Sequence, residues 1–191
     1  MRKIGFIGCG HMAQALIKGL KSNKSYELLG HDRNSKNIAW LKQEKIASYS
    51  LKEVCHEADI LMICVKPKDM YDLCSEMKTY IGKELKIVSV AAGITLESLK
   101  DALSVGKVYR AMPNIGAKHN LGITSIFSHE ELNEILDIFN YLGKAIVVED
   151  EDKINLHTSL IGSAPAFYFE IINEFEPVSY THLRAHETDL N

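Results

Sequence analysis

The chain has 191 residues, which is the length of one ordinary domain or of one domain and part of another. Hydrophobic residues make up 46% of it, enough for a buried core, and the formal net charge is −3. This balance gives no electrostatic reason to expect a nucleic acid or an anionic membrane as a partner, so we expect a small molecule. No apolar run has the length of a membrane span and no signal segment precedes Lys3, which predicts a cytoplasmic location.

The four cysteines show no Cys-x-x-Cys spacing, and two of them lie in apolar, strand-like runs. We therefore predict reduced, buried thiols. The eight histidines are scattered along the chain, and only His11 falls next to a predicted phosphate site. The sequence predicts no metal site.

The chain begins with a short apolar run, Lys3–Ile7, then a glycine-rich turn, then an amphipathic segment from Ala13 to Lys21. In a dinucleotide site built this way, Gly8 permits the tight turn, Gly10 lets the backbone approach a pyrophosphate, and Ala13 lets the helix pack closely. The helix N-terminus offers free N–H groups and a partial positive charge to the phosphates. The pattern predicts nucleotide binding, and an ordinary strand-to-helix turn is the alternative.

Short apolar runs then alternate with segments of helical periodicity, which predicts a mostly parallel sheet with helices on both faces. The further strands of the first unit are predicted at Tyr26–Gly30, Ile60–Val65, Leu85–Ala91 and Val108–Met112, with a shorter strand around Ile46–Ala47. The helices are predicted at Ser35–Lys45, Leu51–Glu57, Asp69–Ile81 and Thr95–Leu103, with Gly82 and Gly106 as stops. A strand, a helix and a strand then follow at Gly122–Phe127, Glu130–Leu142 and Ala145–Val148.

The predicted nucleotide-binding domain covers residues 1–150, and a helical domain is predicted to begin with residues 151–176. Within the latter, Ile154–Ile172 has helical periodicity, interrupted at Gly162–Pro165. The periodicity stops in residues 177–191, where SYTHLRAHETDLN resembles translated sequencing-adapter read-through. We expect a non-native tail there and a native chain that continues, with a genuine disordered tail as the alternative.

Ligands of an open parallel sheet bind beyond the carboxyl ends of its strands. After the second strand, Asp32 would favour a ribose 2′-hydroxyl, whereas Arg33 and Lys36 would favour a 2′-phosphate. Because Arg33 offers a planar fork for a phosphate, the sequence favours NADP as the cofactor, with NAD as the alternative. A solvated loop in which Asp32 or Ser35 caps the next helix would explain the same residues.

Three more strand ends carry unusual residues. Lys66 ends an apolar strand at the ligand edge, although a snorkelling lysine is the commoner case. The small residues Ser89–Gly93 would let a flat ring or a ribose approach the backbone, or would simply pack a strand on a helix. After Pro113, Asn114 would present its amide beside the cofactor and is the candidate on the substrate side.

Five segments, together and in this order, resemble the pyrroline-5-carboxylate reductase family. They are IGFIGCGHMAQAL at the start, ICVKP at Ile63–Pro67, VSVAAGIT at Val88–Thr95, RAMPNIGA at Arg110–Ala117 and GSAPAFYF at Gly162–Phe169. The resemblance runs from Met1 to about Glu176. It implies a Rossmann-type, doubly wound α/β domain, followed by the start of an all-α domain that pairs subunits in a homodimer or a higher homo-oligomer.

The resemblance also implies reduction of 1-pyrroline-5-carboxylate to L-proline, in proline biosynthesis, by hydride transfer from NAD(P)H. A protonated cyclic imine is already electrophilic, so the protein would mainly orient it against the nicotinamide and hold its carboxylate. The cofactor contacts implied by the matching motifs are Ile7, Gly8, Cys9, Gly10, His11, Met12, Arg33, Asn34, Ser35, Cys64, Val65, Lys66, Pro67, Val90, Ala91 and Ala92.

The sequence departs from the family pattern at two positions. Leu51 stands where the family often has an asparagine that contacts the cofactor, and Ala164 replaces a glycine of the GSGPAY motif. In addition, the family's substrate-binding loop falls beyond Glu176, so no catalytic residue is assigned. We therefore expect this chain to bind NADPH weakly and not to turn over by itself.

Two other functions remain open at this point. One is a related imine reductase or β-hydroxyacid dehydrogenase-like enzyme, whose first half is similar, although RAMPN and VKP favour the proline enzyme. The other is a dinucleotide-binding regulator without catalytic activity. The C-terminal loop would discriminate between the latter and an enzyme.

Overall fold

The computed structural model describes residues 1–104 and 107–175. The strands within them are β1 Arg2–Ile7, β2 Tyr26–His31, β3 Ala47–Ser48, β4 Ile60–Ile63, β5 Lys86–Ser89, β6 Val108–Met112, β7 Gly122–Phe127 and β8 Gly143–Val147. They form one sheet in the order β3-β2-β1-β4-β5-β6-β7-β8. Neighbouring strands are parallel except β6 and β7, which are antiparallel. The predicted mostly parallel sheet is confirmed.

The helices, in chain order, are α1 His11–Leu20, α2 Ser35–Gln43, α3 Leu51–Glu57, α4 Met70–Met77, α5 Leu96–Leu103, α6 Asn133–Tyr141 and α7 Asp152–His157. Short 3-10 helices, Pro67–Asp69 and Ile115–His119, follow β4 and β6. A π-helical turn, Thr158–Ser163, follows α7, and residues 164–175 continue as α-helix.

The central strands are buried on both faces, as parallel strands covered by helices must be. In β4, Leu61 and Ile63 pack in a cluster with side chains of α3, α4 and α5. The alternate residues Ile60 and Met62 pack in a second cluster with side chains of α1, α2 and α6. The sheet is therefore doubly wound, and the Rossmann-type α/β fold is confirmed.

Several predicted boundaries were wrong. The helix predicted at Asp69–Ile81 is a 3-10 turn followed by α4, which ends at Met77, so Gly82 is not its stop. α5 ends at Leu103 as predicted, but the left-handed residue that follows it is Ser104, at φ 56°; Gly106, the predicted stop, lies outside the described residues. α2 ends two residues early, before Lys45 at φ 59°. Periodicity marks which residues face a core, and it marks the last turn poorly.

Two strands, β4 and β5, are also shorter than predicted at the ligand edge, whereas β2 extends one residue further than predicted, to His31. β4 ends at Ile63, although the backbone N–H of Cys64 still donates to Ile7 O at 2.8 Å. β5 ends at Ser89 and not at Ala91. Apolar residues therefore continue past the ends of these strands into the loops of the ligand edge.

The C-terminal helical segment, residues 152–175, is continuous, so the predicted interruption at Gly162–Pro165 was wrong. A π-helical turn accommodates the sequence just before Pro165, which has no N–H to donate. The segment is anchored at its start, where Ile154 is fully buried in the core beneath α5. Further along, Leu160 and Phe167 are more than 60% exposed.

Candidate dinucleotide site

The loop between β1 and α1 depends on a glycine. Gly8 has φ +85°, and a Cβ added to it would lie 2.8 Å from Val65 Cγ1 and 3.1 Å from the carbonyl carbon of Cys64. Both the left-handed backbone and the contact with the loop after β4 exclude a side chain here. This tight turn directs the chain from the end of β1 into α1.

Gly10 differs from Gly8, because a Cβ added to it would meet nothing within 4 Å. It precedes α1 with φ −75°, and no side chain caps the helix. The first turn of α1 carries no acidic residue, so nothing within that turn offsets the partial positive charge of its N–H groups. Ala13 is fully buried and lets the helix pack on the sheet. This end of α1 suits an anionic group.

Asp32, at the end of β2, holds the glycine loop in place. Its Oδ2 accepts from the backbone N–H of Cys9 at 2.6 Å and from Asn37 Nδ2 at 2.9 Å, while its Oδ1 accepts from the Asn34 N–H at 2.6 Å. The next helix is capped by Asn34, whose Oδ1 accepts from the Lys36 N–H at 2.9 Å. The cap is therefore neither Asp32 nor Ser35.

Arg33 lies in the same loop, and its side chain is 70% exposed. Its Nη2 forms an ion pair with Oε2 of Glu76, a residue of α4 whose side chain is 46% exposed. The pair connects the loop after β2 with the helix that follows β4. It had not been predicted, because the two residues are 43 positions apart in the sequence.

A cavity of about 440 Å³ opens between these loops. Its lining is Ile7, Gly8, Gly10, His31, Asp32, Arg33, Asn34, Asn37, Cys64, Val65, Lys66, Lys68, Asp69 and Leu73. Eight predicted cofactor contacts lie in this lining: Ile7, Gly8, Gly10, Arg33, Asn34, Cys64, Val65 and Lys66. The other eight, which are Cys9, His11, Met12, Ser35, Pro67, Val90, Ala91 and Ala92, lie outside it.

Several lining residues carried no predicted role. Lys68 and Asp69 belong to the 3-10 helix that begins with Pro67, so the Lys-Pro-Lys string after β4 was a visible signal. Leu73 follows Asp69 by four residues, the spacing of one helix face, but looked like ordinary core. Asn37 lines the cavity from the first turn of α2.

The cavity carries more positive than negative charge that is available to a ligand. Lys66 and Lys68 are exposed and have no ion pair within the two described stretches of chain. Arg33 adds a third cation, whereas the lining has two carboxylates, Asp69 and Asp32, of which Asp32 is engaged with the backbone of the loops. The arrangement favours an anionic ligand.

The thiols at this site are not nucleophiles at neutral pH. Burial raises the pKa of Cys9 to about 12, and its Sγ lies 3.5 Å from His31 O. Burial also raises the pKa of Cys64. All four cysteines are free; Cys9, Cys55 and Cys74 are buried as predicted, whereas Cys64 is partly exposed.

The small residues after β5 lie on the neighbouring loop. The Val90 N–H donates to Ile63 O at 3.1 Å, so this loop runs beside the end of β4. Ala91 is buried, Ala92 is exposed, and Gly93 has φ +73°. A flat group could therefore approach the backbone here without meeting a large side chain.

Asn114, after β6, has a structural task in this fold. Its Oδ1 accepts from the N–H groups of Gly116 at 3.2 Å and of Ile123 at 3.3 Å, so it holds the 3-10 helix against β7. Its predicted contact on the substrate side stays a prediction. Arg110, from the same motif, is buried and donates from Nη1 to Glu151 Oε1 at 2.7 Å, so its guanidinium is occupied within the protein.

Within the described residues, no group of three or more His, Cys, Asp or Glu side chains is placed to hold a metal ion. Within the same residues, no helix has both the length and the apolar character needed to cross a membrane.

Residues 3–93 match the family model described as NADP oxidoreductase, coenzyme F420-dependent. The doubly wound sheet, the glycine loop and this match define the class of the protein, a dinucleotide-binding oxidoreductase.

Comparison with similar proteins identifies the family within this class. The chain is 35% identical over 182 residues to the pyrroline-5-carboxylate reductase of Escherichia coli, an alignment that covers 90% of this chain and 67% of the relative. The structure of the Streptococcus pyogenes 1-pyrroline-5-carboxylate reductase superposes with a TM-score of 0.81 at 26% identity, covering 94% of this chain and 70% of that one. The chain belongs to the pyrroline-5-carboxylate reductase family and spans about two thirds of the length of these relatives.

A second solved structure has the same fold. It is the Plasmodium falciparum pyrroline carboxylate reductase, solved with NADP bound, with a TM-score of 0.84 at 22% identity, covering 95% of this chain and 70% of that one. The family implies a small-molecule substrate.

Proposed function

We propose that the protein reduces 1-pyrroline-5-carboxylate to L-proline, using NADPH in preference to NADH. The observation that carries the proposal is the site between the end of β1, the uncapped start of α1 and the cations of the neighbouring loops, in a chain 35% identical to a reductase of that name. The reaction itself needs a hydride donor and an orienting surface, and this edge of the sheet offers room for both.

The residues fit a dinucleotide. The open space at Gly10 and the first N–H groups of α1 would hold the pyrophosphate, and Lys66 and Lys68 line the same cavity. The Val90–Ala92 loop would carry the nicotinamide, since it presents backbone and small side chains. NADPH, when bound, supplies the hydride. These groups would orient the bound cofactor and screen the charge of its phosphates.

The preference for NADPH is supported by the two residues after β2. Asp32 accepts three hydrogen bonds within the loops and is therefore poorly placed to bind a ribose 2′-hydroxyl. Arg33 extends at the mouth of the cavity and could bind a 2′-phosphate with its planar fork. We propose the sixteen residues predicted from the sequence as the cofactor contacts, with Asn114 on the substrate side.

We also propose residues 1–150 as the cofactor domain and the helical segment as the start of a dimerisation domain. The large apolar side chains exposed along residues 156–172 support a partner subunit there. Glu176 and the predicted tail, residues 177–191, lie outside the described residues. We still predict that the 191-residue chain alone does not catalyse the reaction.

The test is to express the longest chain that the gene encodes and to follow the oxidation of NADPH and NADH with 1-pyrroline-5-carboxylate, with L-proline quantified as the product. We expect proline to form in step with cofactor oxidation, faster with NADPH. Turnover only with a different imine or a β-hydroxyacid would replace the proposal by the related enzymes. Cofactor binding without turnover of any of them would favour a regulator.

A further inference from the structure

We propose that Glu76 limits the preference of this site for NADPH by competing with a 2′-phosphate for Arg33. The inference rests on the proposed use of NADPH and adds a residue that neither the glycine motif nor the family resemblance singled out. Its basis is the ion pair between Arg33 Nη2 and Glu76 Oε2 at the mouth of the cofactor cavity.

The position of Glu76 follows from the fold. It lies on α4 three residues after Leu73, a spacing that places both on one side of the helix, and Leu73 lines the cavity. Arg33 reaches it from the loop after β2, which lines the same cavity. The carboxylate of Glu76 therefore stands beside the guanidinium that a 2′-phosphate would need.

The two cofactors differ at this point in one group, because NADPH carries a 2′-phosphate where NADH has an uncharged 2′-hydroxyl. A bound 2′-phosphate would share Arg33 with the Glu76 carboxylate, and the two anions would repel each other at short range. NADH has no such phosphate, so the ion pair could persist when it binds. Glu76 therefore weakens NADPH binding selectively and narrows the preference that Arg33 creates.

Asp32 is the acidic residue that the sequence pattern suggested for discriminating between the cofactors, but it already accepts hydrogen bonds within the protein. Its carboxylate accepts from Cys9, Asn34 and Asn37. Glu76, in contrast, has one ion-pair partner within the described chain. The discriminating carboxylate comes from the helix after β4 and not from the end of β2.

The exposure of the pair sets the size of the effect. The Arg33 and Glu76 side chains are 70% and 46% exposed, so water screens their attraction and the pair can open without a large desolvation cost. Because exposed pairs contribute little, we expect Glu76→Gln to tighten NADPH binding by about twofold to fivefold. NADH binding should change less than about twofold, since no phosphate faces Glu76 in that complex.

The test is calorimetric titration of NADPH and NADH into the wild-type chain and the Glu76→Gln, Arg33→Ala and doubly substituted variants. Glu84→Gln is the matched control, because Glu84 is also an exposed glutamate in an ion pair, with Lys107. Glu84 lies just before β5, at the amino ends of the parallel strands and away from the cofactor cavity. The control should leave both affinities unchanged. In the Arg33→Ala background, Glu76→Gln should improve NADPH binding less than in the wild type.

Each outcome has one meaning. A selective gain for NADPH that shrinks without Arg33 supports the inference. If Glu76→Gln leaves NADPH binding unchanged, or changes both cofactors equally, while Arg33→Ala weakens NADPH selectively, the inference is wrong and the NADPH proposal stands. If Arg33→Ala has no selective effect, both are wrong. Thermal unfolding of each variant checks that the fold is intact.

Discussion

The glycine-loop edge of the sheet, formed by the loops that follow β1, β2 and β4, differs from the C-terminal helical segment in how far its apolar side chains are buried within the chain. At the edge, apolar side chains such as Ile7 and Leu29 are almost fully buried, and Asp32 ties the loops together by hydrogen bonds. In the helical segment, Leu160, Phe167 and Tyr168 are each more than 60% exposed. The first region is complete within this chain, whereas the second buries little beyond Ile154.

Because of this difference in burial, we expect the two regions to have different functions. An edge whose loops are held by buried side chains and hydrogen bonds within the chain can present a defined set of groups to a dinucleotide. An apolar helix face that stays exposed in the described chain gains little stability from its own side chains. Changes at the edge should therefore alter stability and cofactor binding, and changes along the helix should alter association.

The largest contrast is expected in thiol reactivity. Burial raises the pKa of Cys9 from 9.0 to about 12, so near neutral pH its thiolate fraction should be lower by about a thousandfold. A cysteine introduced by Ser159→Cys, at an exposed position of the helical segment, should react at an ordinary rate. Iodoacetamide labelling with peptide mapping measures both. Rapid labelling of Cys9 in the native protein would show that the edge opens readily.

The pH dependence of that protection has a definite sign. A thiol whose pKa is raised on folding stabilises the native state while it stays protonated, and this contribution declines as the pH rises above the unfolded pKa and approaches the folded one. For Cys9 the window therefore runs from about 9 to about 12. Labelling should accelerate across this window, and Cys9→Ser gives the background rate.

The next largest effect is expected where the helical segment is attached to the sheet. Glu151 Oε1 accepts from buried Arg110 at 2.7 Å and from the Leu96 N–H at 2.6 Å, which ties the start of the helical segment to β6 and α5. Glu151→Ala would leave the guanidinium unpaired, so we expect a loss of about 2 to 4 kcal/mol in the free energy of unfolding. Urea denaturation measures it. Glu149→Ala, at an exposed position, is the control and should cost little.

A smaller loss of stability is expected at the tight turn. Gly8→Ala introduces a side chain at φ +85° and against Val65, which should cost about 1 to 3 kcal/mol and also displace the loop that faces the cofactor. Denaturation and NADPH titration should therefore change together. Unchanged stability would mean that the turn relaxes without strain.

The smallest effect on stability is expected from the exposed helix face. Phe167→Ser should change the free energy of unfolding by less than about 0.5 kcal/mol, because the side chain is 67% exposed. It should reduce self-association, as measured by sedimentation velocity. A large loss of stability would show that this side chain is buried by contacts within the chain.

The sequence predicted most of the fold because its signals are local. The bounds of α3, β6 and β7 agree with the structure, since periodicity and flanking turn residues marked both ends. The end of α2, which precedes the left-handed Lys45 at φ 59°, was missed. So was the continuity of the helix through Pro165, where a π-helical turn accommodates the missing donor.

The candidate site was predicted less completely, for a physical reason. The glycine loop and the Lys66 strand end belong to contiguous motifs, and both line the cavity. The Arg33–Glu76 pair and the Asp32 bonds to Cys9 join residues distant in sequence, so only the folded chain brings them together. Motifs indicate which residues reach the edge, but not which partners hold them there.

The most direct test of the account is NADPH titration into the wild type and Gly10→Asp. Because a Cβ at Gly10 meets nothing within 4 Å and aspartate suits a helix N-cap, the variant should keep its stability. Its charge would occupy the pyrophosphate position, so we predict at least about tenfold weaker binding. Gly82→Asp, also in open space but away from the cavity, should bind normally. Equal binding by Gly10→Asp and the wild type would contradict the account.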